Sequence, residues 1–418
     1  MSQPFKPLIM GLLLMGAWLH PAPLLAADLA GGLPPEHQVI EVLTRSPAYQ
    51  AARQSVQAEK AVQTQYQLGA HEWTASASAA RRKQSSPTAE TTMEWELGLD
   101  RPIRLPGKAQ AHSDLGQARS QAAQAMLKKT WREQGRLLLE RYGQWLRERE
   151  AAVIWSQQVS VLQQQAQAVD KRQRLGDAAR IDHQLAAAAL LQAQAQRLGA
   201  DSRVIAARQA LQALFPGLDV AGNPPLPAPQ QIEGDETAWL SAIATHNPEL
   251  ASAQQDALAA QAQTRVDTAE TRPDPSVGVR YGRARDGAEA MIGLVLSVPL
   301  GGDHRAAVAS ASASRQAAAQ WAQTDAEQRA QAEGQQRWRE AISSYEAAVN
   351  HTDAAQRLNE VATGLARGYQ LGEGSLSEVL AARRLANEQQ LLAAMATVDA
   401  WLSRHRLALE ADRLWSSP

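Results

Sequence analysis

RPIRLPGKAQAHSDLGQARSQAAQA, residues 101–125, overlaps the end of MEWELGLDRPI, residues 93–103, and the chain changes character between the two. Before the Pro106-Gly107 break, apolar and polar residues alternate, which is typical of a strand with two unlike faces. After the break the chain is rich in Ala and Gln and lacks Pro for roughly a hundred residues, which favours a long helix. The same change recurs in LVLSVPLGGDHRAAVASASASRQAAAQ, residues 294–320. The fold must therefore explain why a strand leads into a long helix twice.

Composition excludes several classes of protein and site. The 418-residue chain has a formal net charge of −1, so charge gives no case for binding nucleic acid. It contains no cysteine, which excludes disulfides, thiolate metal sites, cysteine nucleophiles and a lipid anchor on an N-terminal cysteine.

Residues 1–27 are predicted to be a secretory signal peptide. Lys6 supplies positive charge, Leu8–Leu19 is a short apolar run, and small residues near Ala26–Ala27 suit cleavage. An uncleaved membrane anchor is the alternative. No later segment reaches the ~18 consecutive apolar residues of a transmembrane helix, so we expect any membrane insertion of the mature chain to use β-structure.

Landmarks of the first half recur about 200 residues later, which indicates an internal duplication. Pro47 in RSPAYQAARQ corresponds to Pro248 in HNPELASAQQ, and Gly176 in RLGDAARID corresponds to Gly372 in QLGEGSLSE. The predicted domains are a first repeat over 28–214, a Pro-rich linker over 215–234 and a second repeat over 235–418.

Each repeat is predicted to contain a helix of roughly 20 residues, a β-hairpin and a long helical hairpin. The first helix opens at Ser46-Pro47 or Asn247-Pro248, where an N-cap residue precedes Pro at the first helical position. The β-hairpins are placed over 72–101 and 276–298, and the helical hairpins over 108–214 and 303–414. Pro102 and Gly107, with Pro299 and Gly302 in the second repeat, are assigned to the strand-to-helix junctions.

The four predicted strands are Glu72–Arg81, Thr92–Arg101, Ser276–Ala284 and Ala290–Val298. A tilted strand of about nine or ten residues crosses a bilayer, although a half-buried hairpin of a water-soluble protein explains each pair equally well. Trp73, Trp95 and Tyr281 lie in these strands and are candidates for a membrane interface or for ordinary packing.

The long helices, of some 65 residues each, would reach roughly 100 Å. A single globular core does not bury such a length, so each must pack along other long helices. Apolar residues recur every seventh position at Leu138, Trp145, Ala152, Val159 and Ala166, and the pairs Trp338 with Tyr345 and Ile342 with Val349 keep that spacing. This periodicity equally fits a cytoskeletal or adaptor coiled coil.

Four strands are too few to close a membrane barrel, which starts at about eight. If the strands cross a membrane, several chains must pool them, and three chains would give twelve in a closed cyclic trimer. The helices would then continue the barrel wall outside the bilayer.

The chain resembles the TolC-type outer-membrane efflux family in RPIRLPGKAQAHSDLGQA, NPELASAQQDALAAQAQ, RPDPSVGVRYG, SVPLGGDHRAAVASASA and the tips LGDAARID and LGEGSLSEVL. PIRLPGK and RPDP favour its CzcC-like branch, which serves heavy-metal exporters. The resemblance implies a mainly α fold with a small β part: a trimeric twelve-stranded barrel and a periplasmic helical cylinder. It also implies an exit duct in the outer membrane of a Gram-negative bacterium, joined by a periplasmic adaptor to an inner-membrane transporter of resistance-nodulation-division type. Heavy-metal cations, or else drugs and other small toxic compounds, would be exported.

The resemblance also assigns the helical tips to the closed gate and the adaptor contact. The residues are Gly176, Asp177, Asp182, Gly372, Glu373, Ser377 and Glu378. Gly at each tip suits a turn through the left-handed region. Asp177 and Glu373 are alternatively expected to cap the returning helices in a solvated turn.

No enzyme, cofactor or metal centre is predicted. The scattered histidines make no spaced ligand set, and no Ser-His-Asp neighbourhood is apparent. The alternative function is a periplasmic coiled-coil scaffold or adaptor that never enters the membrane.

Overall fold

The computed structural model describes residues 31–69, 71–85, 90–220 and 226–417. Within these ranges the chain is mainly helical with one small four-stranded sheet, which confirms the predicted fold class. The helices are α1 Glu36–Arg45, α2 Pro47–Leu68, α3 Lys108–Arg174, α4 Arg180–Leu214, α5 Glu236–Thr245, α6 Pro248–Ala269, α7 Asp303–Gln370 and α8 Leu376–Glu410. The strands are β1 Thr74–Gln84, β2 Glu90–Pro102, β3 Ser276–Ala284 and β4 Glu289–Ser297. The predicted signal peptide lies outside the described residues.

The order of elements is the same in both halves: two helices, a β-hairpin, a long helix and a returning helix. The helices α1 and α5 were not expected from the sequence. Each has only ten residues, too few for periodicity to separate a helix from a loop, and α1 is held by burial of Val39, Val42 and Leu43. The predicted domain boundaries stay a prediction.

The predicted N-caps of α2 and α6 are confirmed. The Ser46 side chain accepts a hydrogen bond from Tyr49 N, and Asn247 Oδ1 accepts one from Leu250 N at 2.8 Å. In both helices Pro occupies the first helical position, where its missing N–H costs nothing.

The two β-hairpins join into one antiparallel sheet in the order β1-β2-β3-β4. The central pairing connects the halves of the chain, with Pro102 opposite Ser276 and Trp95 opposite Arg283. The first hairpin differs from its predicted bounds, since β1 begins at Thr74 and continues to Gln84. Small polar and Ala residues dominate β1, so no clear alternation of apolar and polar residues marks its ends.

Each long helix has different neighbours in its two halves. Near the sheet, α3 packs against α2 and α6, and α6 packs against α7. Farther from the sheet, α3 packs against α4 and α8, and α8 packs against α7. At 67 residues, α3 is about 100 Å long. None of the helices in the described ranges combines the length and apolar character needed to span a bilayer.

Alanine recurs at seven-residue intervals among the buried residues of two helices. The buried positions of α7 include Ala341, Ala348, Ala355 and Ala362, and those of α4 include Ala186, Ala193 and Ala200. The predicted heptad of α3 is buried at Leu138, Trp145 and Val159, as expected. The α7 seam was predicted at larger residues, but Trp338 and Tyr345 are only half-buried and Val349 is exposed. A small side chain lets two helix backbones approach closely, so Ala takes the seam.

The largest apolar core lies midway along α3. It includes Trp131, Leu138, Tyr142 and, from the C-terminal segment, Trp401 and Trp415. Trp131 Nε1 donates to Trp415 O at 2.7 Å, and Tyr142 Oη donates to Gly32 O at 2.6 Å.

The segment after α4 also belongs to this core. The sequence predicts an extended linker over 215–234, yet Phe215, Leu218, Val220 and Ile232 are buried in the core. These apolar residues anchor the connection to the helices, and residues 221–225 lie outside the described residues.

Candidate functional site

One face of the sheet is apolar and uncovered. Residues directly opposite each other in an antiparallel sheet lie on the same face, so the register defines that face. Its large side chains are Met93, Trp95, Leu97, Leu99, Val277, Val279, Tyr281, Ile292, Leu294 and Leu296. Their exposed fractions run from 39% for Tyr281 to 89% for Leu294. We call this the apolar face; no core formed by the described residues covers it.

The opposite face is mainly polar and ion-paired, with Met291 and Val295 as its large apolar residues. Arg280 Nη1 lies 2.8 Å from Asp100 Oδ2, and Arg82 Nε lies 2.8 Å from Glu94 Oε1. Glycine makes room for these pairs, because a Cβ at Gly98 would overlap Arg280. We call this the polar face. A sheet in a water-soluble protein usually buries its apolar face. Here the apolar face is the exposed one, and we call the sheet inverted for that reason.

The three candidate aromatic residues have different positions. Trp95 and Tyr281 lie side by side on the apolar face, with ring centroids 5.7 Å apart in an edge-on contact. Trp73 precedes β1 and so is not in a strand, contrary to the prediction. Its ring lies at the helix end of the sheet, with the Arg101 guanidinium 5.3 Å from its centroid.

The four junction residues lie between sheet and helix, but only one requires glycine for its backbone. Gly107 precedes α3 with φ of 86°, in the left-handed region. Gly302 precedes α7 with an extended backbone that any residue adopts. Pro102 is the last residue of β2, and Pro299 follows β4.

A buried lysine connects the first junction to the second repeat. Lys108, the first residue of α3, is 2% exposed, and its Nζ lies 2.9 Å from both Glu270 Oε2 and Asp274 Oδ1. His112 Nε2 lies 3.2 Å from Glu270 Oε1, and His71 Nε2 lies 3.6 Å from Asp274 Oδ2. We call these five residues the junction cluster. It joins the start of the long helix to the segment that leads into β3.

The carboxylates of the junction cluster stay ionised. Burial opposes ionisation of Asp274, but hydrogen bonds from Leu105 N and Lys108 outweigh it and lower the pKa of Asp274. Burial likewise opposes ionisation of Glu270, and hydrogen bonds from Lys108 and His112 lower its pKa. The junction is therefore a charged network at neutral pH.

Both helical tips end in the same backbone motif. Gly176 has φ of 87° and Gly372 has φ of 92°. Asp177 N donates to Arg172 O at 2.8 Å, and Glu373 N donates to Gly368 O at 2.9 Å. These bonds define Schellman motifs in which each glycine is followed by the acid.

The expected capping by Asp177 and Glu373 is wrong. The N-cap of α4 is Ala179, without a side-chain hydrogen bond, and the N-cap of α8 is Ser375. Ser375 and Glu378 make a capping box, with Ser375 N donating to Glu378 Oε2 at 2.9 Å. Asp177 and Glu373 each follow the turn glycine and cap no helix, so their exposed side chains are available for other contacts.

The structure brings the two tips together. Val169 of α3, Ala186 of α4 and Leu376 of α8 share one small core beneath them. Asp182 is half-buried, whereas Ser377 and Glu378 are exposed. The tips are not purely acidic, since the last turn of α3 carries Lys171, Arg172 and Arg174.

Near the tips, a tyrosine on α7 interacts with a base and an acid of the first helical hairpin. The Arg172 guanidinium lies 4.9 Å from the Tyr369 ring centroid. Burial raises the pKa of Tyr369, the Asp182 carboxylate adds to the increase, and Arg172 opposes it. Asp182 therefore acts electrostatically on the other helical hairpin.

Two sets of residues were missed at the sequence level. The junction cluster joins residues that are far apart in the chain, and only RPDP preceding β3 marked that region. Arg136 pairs with Glu249 and Glu410 in the same way. Among the described residues no group of three or more His, Asp or Glu side chains is placed to hold a metal ion.

Comparison with known proteins gives matches in structure alone. No model of a protein family and no curated protein matches the sequence. The outer-membrane channel OprN superimposes with a TM-score of 0.71 at 18% identity, covering 91% of this chain and 90% of that chain. The transmembrane channel CusC gives 0.71 at 16%, covering 90% and 91%. The outer membrane protein VceC from Vibrio cholerae gives 0.68 at 17%, covering 90% and 95%. The chain therefore has the fold of these outer-membrane proteins.

Proposed function

We propose that this chain forms the outer-membrane exit channel of a tripartite efflux pump. Three copies would pool their strands into a twelve-stranded barrel in the outer membrane of a Gram-negative bacterium, and their helices would form a periplasmic cylinder. The channel would be passive, with energy supplied by an inner-membrane transporter of resistance-nodulation-division type through a periplasmic adaptor.

The uncovered apolar face carries this proposal. Ten large apolar side chains face outward on a sheet whose other face is ion-paired, and β1 and β4 each have an unpaired edge. Lipid suits the first feature, and closure with further copies of the sheet suits the second. Along the strands, the apolar face extends from the level of Met93 to the level of Val277, which lies opposite Arg101. This length is about 27 Å, close to the height of the apolar band of membrane barrels.

The repeat indicates how neighbouring copies would meet. Within the chain, α6 and α8 each lie between two long helices, α3 and α7. Their counterparts α2 and α4 pack against α3, and α4 carries the exposed residues Leu191, Leu198 and Ile205 at seven-residue intervals. The neighbour expected on that side is α7 of the next copy, which closes the ring by a heterologous contact.

One contact inside the chain predicts a contact between chains. Gly143 of α3 faces Leu402 of α8, with 3.2 Å from an added Cβ to Leu402 Cδ1. Counting from the tip glycines, the equivalent positions are Arg339 of α7 and Ala206 of α4, both exposed. Because the chain has no cysteine, the variant Ala206→Cys/Arg339→Cys would form disulfide-linked trimers, whereas each single variant would not.

Charge on the polar face favours cations as the exported substrate. Its acids are Glu90, Glu94, Glu96, Asp100 and Glu289, against the bases Arg82 and Arg280. If this face lines the pore, three copies repeat that excess and attract cations. Heavy-metal cations are the substrate we propose first, in line with the CzcC-like motifs, and small toxic compounds second. Growth of a deletion strain on a panel of metals and antibiotics distinguishes them.

The tips are the proposed gate and adaptor contact. Asp177, Glu373 and Glu378 are exposed there, and Asp182 of α4 acts electrostatically on Tyr369 of α7. Neutralising Asp177 and Glu373 should reduce cation selectivity in single-channel recordings, because acids at a narrow pore attract cations. The change should leave the helices intact, since neither residue caps a helix. Unchanged conductance and selectivity would exclude the gate role for these acids.

Fractionation tests the proposal against the rival scaffold function. An exit channel is recovered from outer membranes as a trimer that requires detergent. A periplasmic scaffold is recovered as a salt-soluble protein, and that result would overturn the proposal. Two helical hairpins with one inverted sheet favour the channel, since adaptors usually combine one hairpin with a lipoyl-like module.

A further inference from the structure

Charges are segregated between the two faces of the sheet. On the apolar face, the charged side chains of the described strand residues are all cations: Arg81, Lys83, Arg101 and Arg283. Every Asp and Glu of these strands lies on the polar face. A sheet that only avoided water would need no cations on its apolar face.

Three of these cations share the end of the sheet farthest from the helices. Arg81 lies opposite Met93, Lys83 opposite Thr91, and Arg283 opposite Trp95. Arg81 and Arg283 therefore flank β2 from β1 and β3, about 10 Å apart across the strands. We call Arg81, Lys83 and Arg283 the basic rim. Arg81 and Arg283 lie level with Met93 and Trp95 at the end of the apolar band, and Lys83 lies beyond it.

The basic rim has no ion pair among the described residues. Arg283 donates only to neutral oxygens, with Nε 3.4 Å from Tyr281 Oη and Nη1 3.4 Å from Gly287 O. The neighbouring acids are engaged elsewhere. Asp286 Oδ1 accepts from Met93 N at 2.8 Å, and Glu289 pairs with Arg285 at 2.8 Å. The rim cations are therefore available to an external anion.

We propose that the basic rim binds the phosphate groups of anionic lipid headgroups at the distal membrane surface. Lipid chains would cover the apolar face up to Met93, and the headgroup phosphates would then lie at the level of Lys83, within reach of the long side chains of Arg81 and Arg283. Guanidinium groups match phosphate geometry, and Trp95 with Tyr281 supplies the aromatic pair that suits this interface.

This inference rests on the proposed function, because it needs the sheet in a membrane. It goes further in naming the lipid class and the residues. Each basic residue near an anionic surface strengthens attraction by about fivefold, so the whole rim contributes about a hundredfold. The attraction weakens as salt rises.

The test uses the full chain in nanodiscs made of phosphatidylcholine alone or containing phosphatidylglycerol, with Tm as the readout. The wild type should be more stable in the anionic discs, and the difference should shrink with added salt. The variant Arg81→Gln/Lys83→Gln/Arg283→Gln should lose the difference. The matched control Arg315→Gln/Arg329→Gln/Arg357→Gln removes the same charge from exposed sites on α7 and should keep it.

The outcomes separate the two proposals. Failure of the wild type to enter either disc contradicts the channel itself. Insertion without a lipid-dependent Tm, or a difference retained by the rim variant, overturns only the rim. Inorganic phosphate added to the detergent-solubilised protein gives a further arm, since an equal stabilisation there indicates a free-anion site and contradicts lipid binding. If the rim variant does not fold, the salt dependence of the wild type decides.

Discussion

Lys108 Nζ lies 2.9 Å from Asp274 Oδ1, which bonds the first residue of α3 to a residue two positions before β3. The contact joins the two repeats at the level where strands become helices. Ile103 N donates to Pro275 O at 2.7 Å and Leu105 N donates to Asp274 Oδ1 at 3.0 Å, so backbone groups reinforce the connection. The junction is thus a fixed joint between the sheet and the helical wall.

Replacing the buried lysine should weaken this joint. Lys108→Met leaves Glu270 and Asp274 without their shared partner and should cost about 3 kcal/mol, because Glu270 is still partly solvated. Thermal unfolding in detergent measures the loss. The control Lys60→Met removes an exposed lysine from α2 and should change the Tm little. Equal Tm values for Lys108→Met and the wild type would contradict a structural role for the cluster.

Low pH should break the ion pair between Lys108 and Asp274. The pKa of Asp274 is lowered in the folded protein, so its stabilisation is fully present above the ordinary carboxylate pKa of about 4 and is lost as pH falls through the lowered value. The groups facing it are Lys108, His71 and Glu270. The stability difference between wild type and Asp274→Asn should be constant near neutral pH and shrink in acid. A difference that grows on acidification would have the wrong sign for this account.

The capping box should affect stability, whereas the tip acid Glu373 should affect cation selectivity, and two variants separate these effects. Ser375→Ala removes the acceptor for Glu378 N and should destabilise α8 by about 1 kcal/mol. Glu373→Gln leaves every capping bond in place and should not change the Tm, while still altering cation selectivity. The paired measurements are Tm and single-channel selectivity of the two variants. A destabilised Glu373→Gln would show that this acid has a structural role.

The alanine seam of α7 should not accept larger side chains. Ala348 and Ala362 are fully buried, and Ala355 lies between them. Ala355→Leu should lower the free energy of unfolding by about 1–3 kcal/mol. The larger side chain would need the two helices to separate there, while the neighbouring alanine contacts hold them close. Ala332→Leu, at an exposed site of the same helix, is the control for Tm. Tolerance of leucine at Ala355 would mean that the seam is loosely packed.

Local signals predicted much of this architecture. Ser46-Pro47 and Asn247-Pro248 marked two helix starts, because the cap and the proline act within one turn. The Ala/Gln-rich segments after Gly107 and Gly302 predicted α3 and α7, and both begin where expected. The tip glycines likewise mark left-handed turns.

Contacts between residues far apart in the chain could not be predicted from the sequence. The partners of Lys108 lie in the second repeat, and no spacing rule links them. The choice of Ala for the α7 seam depends on the distance between helices, which periodicity alone does not specify. Asp177 and Glu373 were expected to cap helices, but a Schellman turn places each acid outside the next helix. The inverted sheet was recognisable only once its register was known.

The most direct test asks what surrounds the apolar face. Because the chain has no native cysteine, single spin labels can be placed at Leu97→Cys on that face and at Glu96→Cys on the polar face. Collision rates with oxygen and with a water-soluble nickel complex are then measured in liposomes. We predict that the label at position 97 collides mainly with oxygen and the label at position 96 mainly with nickel. Equal, high nickel accessibility at both positions would place the sheet in water and contradict the channel.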